Sequence, residues 1–455
     1  MALTTVQKAG WGLADFSLLT FIMIKQSFVI SFLILYLNVP IVLTGWTVTS
    51  ILIFDLLIAG MVGEWSDNTN GRFGRRAPWM VLGAILMTAG SIGMFMVPEG
   101  LTELQNLFWF SGFFAVATIG FTFVNIPYTA MGSEIAQTPE DWKAIRTWRV
   151  AFATLGLMLG GIIIPFIAAD TRAGFALAIL IISPVLLLAP VVSALLSSRA
   201  PASFQPIKVE DSQQFQLVFQ NSAFMVLVAV FGLVALAVAI VLAGVPFFAA
   251  YLFASKTVGA FSGAIETIGI ISYMFLALVI GSIISQPIWS MMERLMGSVL
   301  TFAVSILFFI AAQVFMYLNL PTASSLMIAA MLFLAGAAST AYRQVPFSIY
   351  PDLIRATTMR TGQKIEGVFQ MTWISGQRIA YAVAPLVMCS MMGIVGWVQS
   401  SDGLVSTVPG GLANLNFVLT MVPCIVLVLA FVLLVFVYYP LSRRELSILK
   451  SGVVT

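Results

Sequence analysis

Long apolar stretches alternate with short polar ones along almost the whole chain, and the alternation predicts membrane-crossing helices. Crossing a hydrocarbon layer takes about 20 residues at roughly 1.5 Å of rise each. On that measure twelve spans are predicted, near 11–37, 42–64, 79–98, 107–132, 147–169 and 174–198, then near 223–254, 262–291, 298–318, 325–350, 366–397 and 414–440. A polar stretch from Arg199 to Asn221, with Pro201, Pro206, Lys208, Glu210 and Asp211, separates the two sets. The predicted organisation is an N-terminal six-helix bundle at 1–198, a cytoplasmic linker at 199–222 and a C-terminal six-helix bundle at 223–455. The first apolar run is too long for a cleaved leader and has no small-residue cleavage site, so it is expected to stay as a membrane helix.

The polar positions carry the orientation. Sorted by loop, Lys8, Arg72, Arg75, Arg76, Lys143, Arg146, Arg199, Lys208, Arg294, Arg355, Arg360, Lys364, Arg443, Arg444 and Lys450 fall on one side, against Arg172 and Lys256 on the other. Basic loops stay in the cytoplasm, so both termini are expected there. An internal repeat supports the two-half design. Ile126-Pro-Tyr-Thr-Ala-Met-Gly-Ser-Glu-Ile135 shares its order of β-branched, Pro, aromatic, hydroxyl and acidic residues with Val345-Pro-Phe-Ser-Ile-Tyr-Pro-Asp-Leu-Ile354, at a shift of 345 − 126 = 219 residues. Each copy falls at the end of the fourth span of its half, as duplicated six-helix bundles require.

Composition agrees and excludes several functions. The chain is 60% hydrophobic and 9% charged, against roughly 25% charged in an ordinary soluble domain. The formal charge of +3 sits in short loops between apolar runs, which is membrane topology and not a nucleic-acid face. Cys389 and Cys424 lie inside apolar runs and read as packing residues, and histidine is absent. The usual general base and commonest metal ligand are therefore missing, and there is no Gly-x-x-x-x-Gly-Lys-Ser/Thr phosphate loop. No enzyme activity, cofactor or metal site is expected.

The stretch from Gly63 to Pro78 fits Gly-x-x-x-Asp followed by Arg-x-Gly-Arg-Arg, in Gly63, Asp67 and Arg72-Phe73-Gly74-Arg75-Arg76, with a spacer lengthened by Asn68 to Gly71. With twelve spans and a duplicated half, it resembles the second-to-third-helix loop of the major facilitator superfamily. The run to Ala77-Pro78-Trp79, with Ile126-Pro127-Tyr128 and Arg360-Thr361-Gly362-Gln363-Lys364-Ile365-Glu366-Gly367, is similar to the glycoside–pentoside–hexuronide:cation symporter branch, which includes melibiose permease and the sucrose carriers. The resemblance covers both halves. It implies an all-α integral membrane fold of twelve transmembrane helices in two pseudo-symmetric six-helix bundles, with a cavity between them and transport by alternating access.

The loop also makes sense without a family. Asp67 at a helix end can accept charge-assisted hydrogen bonds from Arg75 or Arg76, and Glu134 and Asp352 occupy matching places in the two repeats. Such pairs would hold the cytoplasmic side shut and break on opening. Arg149, near the start of the fifth span, is expected at this gate or on the cavity floor. Arg72 reads as a topology signal.

Ionisable groups at membrane depth are functional candidates by default. Counted from the cytoplasmic helix ends, Lys25, Asp55 and Arg378 fall near the midplane, while Asp15 and Glu266 are explained as readily by solvated helix ends. Asp55 is the expected coupling residue. The resemblance places an amide and a second acid three and four residues after it, as oxygen ligands for sodium, where this chain has Ile58 and Ala59. A lone carboxylate beside Arg378 or Lys25 suits protonation better. Where the branch carries sugar-gripping acids on the first and fourth spans, the chain is read as having Leu19 and Asn125, so an anionic solute held by Lys25 and Arg378 is one expectation. Asn125, Tyr128, Gln344, Gln370 and Trp373 are expected to line the cavity.

These readings converge on secondary active symport of a sugar-like or related small organic solute, driven by H⁺ or Na⁺. The alternatives are a transporter of an organic anion or amphiphile, with or without coupling, and a non-transporting assembly or sensor protein on the same fold. The expected partners are a small-molecule solute and the lipid bilayer of a bacterial-type inner (plasma) membrane, without nucleic acid, and the chain is expected to act as a monomer.

Overall fold

Burying backbone polar groups in hydrocarbon forces each crossing segment to satisfy its own hydrogen bonds, so apolar runs of this length fold as helices. The computed structural model of the protein describes residues 4–69, 74–135, 138–169, 171–197, 212–253, 269–320, 323–361, 366–396, 411–443 and 445. Among the described residues the regular structure is entirely helical, and twelve helices are long and apolar enough to cross a membrane. They are α1 (Thr5–Tyr36), α2 (Ile41–Asp67), α3 (Ala77–Phe95), α4 (Glu103–Ile135), α5 (Glu140–Ala168), α6 (Arg172–Ser197), α7 (Ser222–Tyr251), α8 (Ile270–Met296), α9 (Ser298–Asn319), α10 (Leu326–Met359), α11 (Gly367–Ile394) and α12 (Ala413–Arg443). The positions Arg72, Arg199, Lys208, Glu210, Asp211, Lys256, Glu266, Lys364 and Arg444 lie outside the described residues.

The helices run past the predicted spans wherever a polar turn is stable as helix. Hydropathy marks the part that lipid touches, whereas capping marks the end. α1 starts at Thr5, well before the predicted position 11, because Thr4 and Gln7 form a reciprocal capping box. α7 is capped by Asn221, whose Oδ1 accepts from the Phe224 amide at 2.9 Å while its Nδ2 donates to Thr357 Oγ1 at 2.9 Å. Inside the stretch read as a linker, Ser212–Gln220 forms a short helix of its own.

The chain folds into two compact units, one carrying Met1–Ile207 and the other most of the chain from Lys208 onward. In the first unit α3 packs along α4 and α6, and α1 along α5 and α6; in the second α7 packs along α11 and α12. The apolar stretches of α1 and α7 are 72% and 67% buried, against 28% for α2. The first helix of each half is therefore its central post, and polar groups on α1 are held by protein. α1 carries two π-helical turns, Ile24–Phe28 and Phe32–Tyr36. Such turns locally loosen the helical ladder and are frequent at functional positions, and Lys25 lies in the first.

Candidate functional site

Three polar clusters hold the first unit together, and α4 contributes to each. The deepest joins α1, α4 and α5. Asp15 is 1% exposed; its Oδ2 accepts from Tyr128 Oη at 2.7 Å and from Arg149 Nε at 2.6 Å. The Trp11 ring stacks on Tyr128 with centroids 4.6 Å apart and donates through Nε1 to the Tyr128 carbonyl at 3.2 Å. The Arg149 guanidinium sits 5.9 Å from the Trp11 ring and 5.7 Å from the Tyr128 ring. Small residues make this approach possible. A Cβ on Gly132 would collide with the Trp11 ring, and one on Gly12 would press on the α5 backbone at Trp148 and Arg149.

This cluster corrects two expectations. Asp15 is a buried ion-pair partner and no solvated helix end. Arg149, expected at the gate or cavity floor, pairs with Asp15 while its side chain stays partly exposed. Tyr128, expected as a cavity wall, is fully buried with its hydroxyl engaged. The acid on α1 is also one turn from where it was sought: Leu19 packs against Gly156 of α5. Helical rotation, invisible in a list of positions, turns Asp15 toward α4 and α5.

The second cluster joins α2 and α4. Asp55 is 8% exposed and accepts a hydrogen bond from Thr122 Oγ1 at 2.5 Å. Lys25 extends its Nζ to 4.6 Å from the ring of Phe121, the neighbour of Thr122 in sequence. Arg378 or Lys25 was the expected partner of Asp55; the donor placed on it in its own unit is Thr122. A signal for it existed. Thr118, Thr122, Asn125 and Thr129 form a polar stripe at helical spacing along an otherwise apolar α4.

The third cluster is the loop motif. Glu134 Oε1 accepts from Arg75 at 2.5 Å and from Arg76 Nε at 2.7 Å, and Arg76 also pairs with Asp67 at 2.8 Å. Gly74 takes the left-handed backbone (φ +80) that turns the chain back into α3. Trp79 Nε1 donates to Thr69 Oγ1 at 2.8 Å, and the Trp65 and Trp79 rings stack at 6.0 Å. Asp67, Arg75, Arg76 and Glu134 thus meet in one cluster. Asp352 does not reproduce the arrangement: it is half exposed, with Arg355 of its own helix at 3.9 Å. At the 219-residue shift Asp352 aligns with Ser133, while Leu353, fully buried, takes the place of Glu134. One residue is about 100° of helical rotation, enough to turn the acid outward.

In the second unit, Trp373 is 1% exposed, stacked between Phe231 (4.2 Å) and Tyr350 (5.2 Å). It is a packing residue of α11 and no cavity wall. Gln344 Nε2 donates to Ser290 Oγ at 2.5 Å, tying α10 to α8. Gln370 is exposed, and Asn125 and Arg378 are half-buried. A hydroxyl pair links α10 and α11, with the Tyr342 and Tyr381 Oη atoms 2.6 Å apart and Gln377 Nε2 donating to Tyr381 Oη at 3.3 Å. Beside it stands Arg343, absent from the sequence-based candidates, its guanidinium 5.7 Å from the Tyr342 ring.

Known proteins match this chain over most of its length. The family described as MFS/sugar transport protein matches residues 8–443. The chain belongs to that family. That family is one of transport proteins. The chain is 30% identical to the Synechocystis sp. protein named as uncharacterized symporter sll1374 over 167 residues, 36% of this chain and 31% of that one. It is 28% identical to the putative glycoside/cation symporter YagG of Escherichia coli (strain K12) over 196 residues, 41% of this chain and 42% of that one. These alignments span well under half of either protein. Among solved structures, a bacterial homolog of the human lysosomal transporter Spinster superposes with a TM-score of 0.64 at 15% identity, covering 97% of this chain and 96% of that one. The D-xylose-proton symporter superposes with a TM-score of 0.60 at 14% identity, covering 94% and 96%. These superpositions establish the major facilitator fold.

Proposed function

We propose that the protein is a cation-coupled symporter of a sugar-like solute, working by alternating access in a bacterial inner membrane with both termini in the cytoplasm. The observation that carries this reading is Asp55. A carboxylate buried in a membrane-spanning helix and held by a neutral hydroxyl can take up and release a proton without breaking an ion pair. The symporter names of the relatives, and the inner membrane in the name of Escherichia coli YicJ, support the same reading. The positions three and four residues beyond Asp55 are Ile58 and Ala59, which bring no side-chain oxygen. Sodium is a hard cation that needs several, so H⁺ is the favoured coupling ion.

The solute end of the reading rests on Arg149. Its Nε is occupied by Asp15, yet the side chain stays 41% exposed, beside a carboxylate that is 2% exposed. A guanidinium braced from behind in this way presents directed donors to a hydroxyl-bearing solute. The clamp of Asp67, Arg75, Arg76 and Glu134 serves the conformational cycle, since ion pairs at helix ends must break and reform as the cytoplasmic side opens and closes.

The test is solute uptake into proteoliposomes under an imposed pH gradient. Asp55→Asn is expected to abolish uphill accumulation while retaining exchange of solute down its own gradient. Accumulation that survives this substitution with its pH dependence unchanged removes Asp55 from coupling.

A further inference from the structure

The first two turns of α5 carry a charged surface that has no part in that cycle. From Glu140, α5 is 29 residues long, about 43 Å at the helical rise, which matches the roughly 40–45 Å of a bilayer with its headgroups. Its first two turns therefore stand at headgroup depth. Thr138 caps the helix, accepting from the Asp141 amide at 3.1 Å. Asp141 and Ile145 turn inward and are buried, and Asp141 is ion-paired with Lys8 of α1 at 2.9 Å. Trp142, Lys143, Arg146 and Thr147 are left exposed on the other side.

Trp142 and Arg146 are four positions apart and share one face, with the guanidinium 5.7 Å from the Trp142 ring. Among the described residues neither Lys143 nor Arg146 is ion-paired, because the buried acid of this turn, Asp141, is held by Lys8. Glu140 is exposed beside them, so two cations face one acid and the surface keeps a surplus positive charge. Further along α5 the exposed positions from 150 to 166 are all apolar: Val150, Ala151, Leu155, Met158, Ile163 and Phe166. Cations and an indole ring thus lie at headgroup depth, where such side chains anchor helices. Beneath them the exposed side of the helix has the chemistry of acyl chains.

We propose that Trp142, Lys143 and Arg146 form a docking surface for an anionic phospholipid, with its phosphate on the two cations and its acyl chains along the apolar side of α5. Lys143 supplies a compact charge, and Arg146 a planar fork that can hold two phosphate oxygens. Anionic headgroups attract each such cation at the membrane surface. The apolar side below gives a lipid a second contact that a free phosphate ion lacks, which makes the lipid the occupant. This surface belongs to the first unit alone and does not depend on which solute or ion is carried.

The experiment titrates full-length protein in detergent with phosphatidylglycerol or phosphatidylcholine and reads retained lipid by native mass spectrometry. Wild type is expected to bind phosphatidylglycerol more tightly than phosphatidylcholine, with a preference that shrinks as salt rises. Lys143→Gln/Arg146→Gln is expected to weaken phosphatidylglycerol binding roughly 10- to 30-fold, the range for two cations near an anionic surface. Its phosphatidylcholine binding and melting temperature should stay those of wild type. The charge-conserving Lys143→Arg/Arg146→Lys variant is expected to retain most of the preference. Arg294→Gln, which removes an exposed cation at the end of α8, is expected to leave binding unchanged. Undiminished phosphatidylglycerol binding in the double glutamine variant, an equal loss in Arg294→Gln, or no preference in wild type overturns the assignment. Displacement of the lipid by inorganic phosphate at matched ionic strength overturns the lipid as occupant.

Discussion

α4 and α10 are two copies of one sequence pattern, and they carry opposite chemistry. Both keep the proline and aromatic residue, as Pro127-Tyr128 and Pro346-Phe347. On α4, Thr122 and Tyr128 donate to the buried carboxylates Asp55 and Asp15, and Glu134 gathers two arginines. The corresponding positions of α10 are Ala341, Phe347 and Leu353, and α10 instead bears Arg343 where α4 has Val124. The surrounding loops diverge in the same sense. Gly297 alone, at φ +82, separates α8 from α9, whereas residues 68–76 with their arginines separate α2 from α3. The shared pattern keeps the positions that shape the helix. Among the described residues, the buried carboxylates and the ion-paired clamp are gathered in the first half, and α10 bears Arg343 where α4 has an apolar residue.

The comparison can be broken in order of expected effect. Arg149→Gln should have the largest consequence, because it leaves the Asp15 carboxylate buried without its ion-pair partner. Removing one member of a buried pair costs about 3–5 kcal/mol. A marked fall in melting temperature and loss of uptake are expected, with the Asp15→Asn/Arg149→Gln double variant less destabilised than the sum of the singles. Additive losses would mean that the two residues act separately.

Next come the paired acids. Glu134→Gln removes the shared acceptor of Arg75 and Arg76 and is expected to slow uptake about tenfold, as for a lost hydrogen bond to a charged group. Asp352→Asn is expected to change uptake by less than about twofold, since exposed ion pairs contribute little. Equal losses in the two variants would restore the symmetric gate and end the contrast between the halves. Thr122→Val should have the smallest effect that remains measurable, a fall in proton-driven uptake of about three- to tenfold, with passive exchange less affected. If both fall together, Thr122 serves packing between α2 and α4.

Much of this was legible in the sequence. The spans, the repeat and the motif around Asp67 and Arg76 could all be read from linear order, and the clamp residues Asp67, Arg75, Arg76 and Glu134 do meet. Asp15 and Thr122 were misread or passed over for a common reason. Each owes its role to a neighbour on another helix or to helical rotation, and a hydroxyl such as Thr122 in an apolar run carries no charge to draw notice. Asp352 was misplaced because matching by residue type tolerated a one-residue offset that a helix converts into a different face.

The sequence by itself determined the long apolar helices, twelve among the described residues, that can cross a membrane, because the cost of exposing backbone and charge to hydrocarbon is exacted segment by segment. Only the tertiary structure decided which polar groups are partners. Tyr128 and Arg149 reach Asp15 across separations of 113 and 134 residues, and that meeting depends on how closely α1, α4 and α5 pack at Gly12 and Gly132 and on which way each helix is turned.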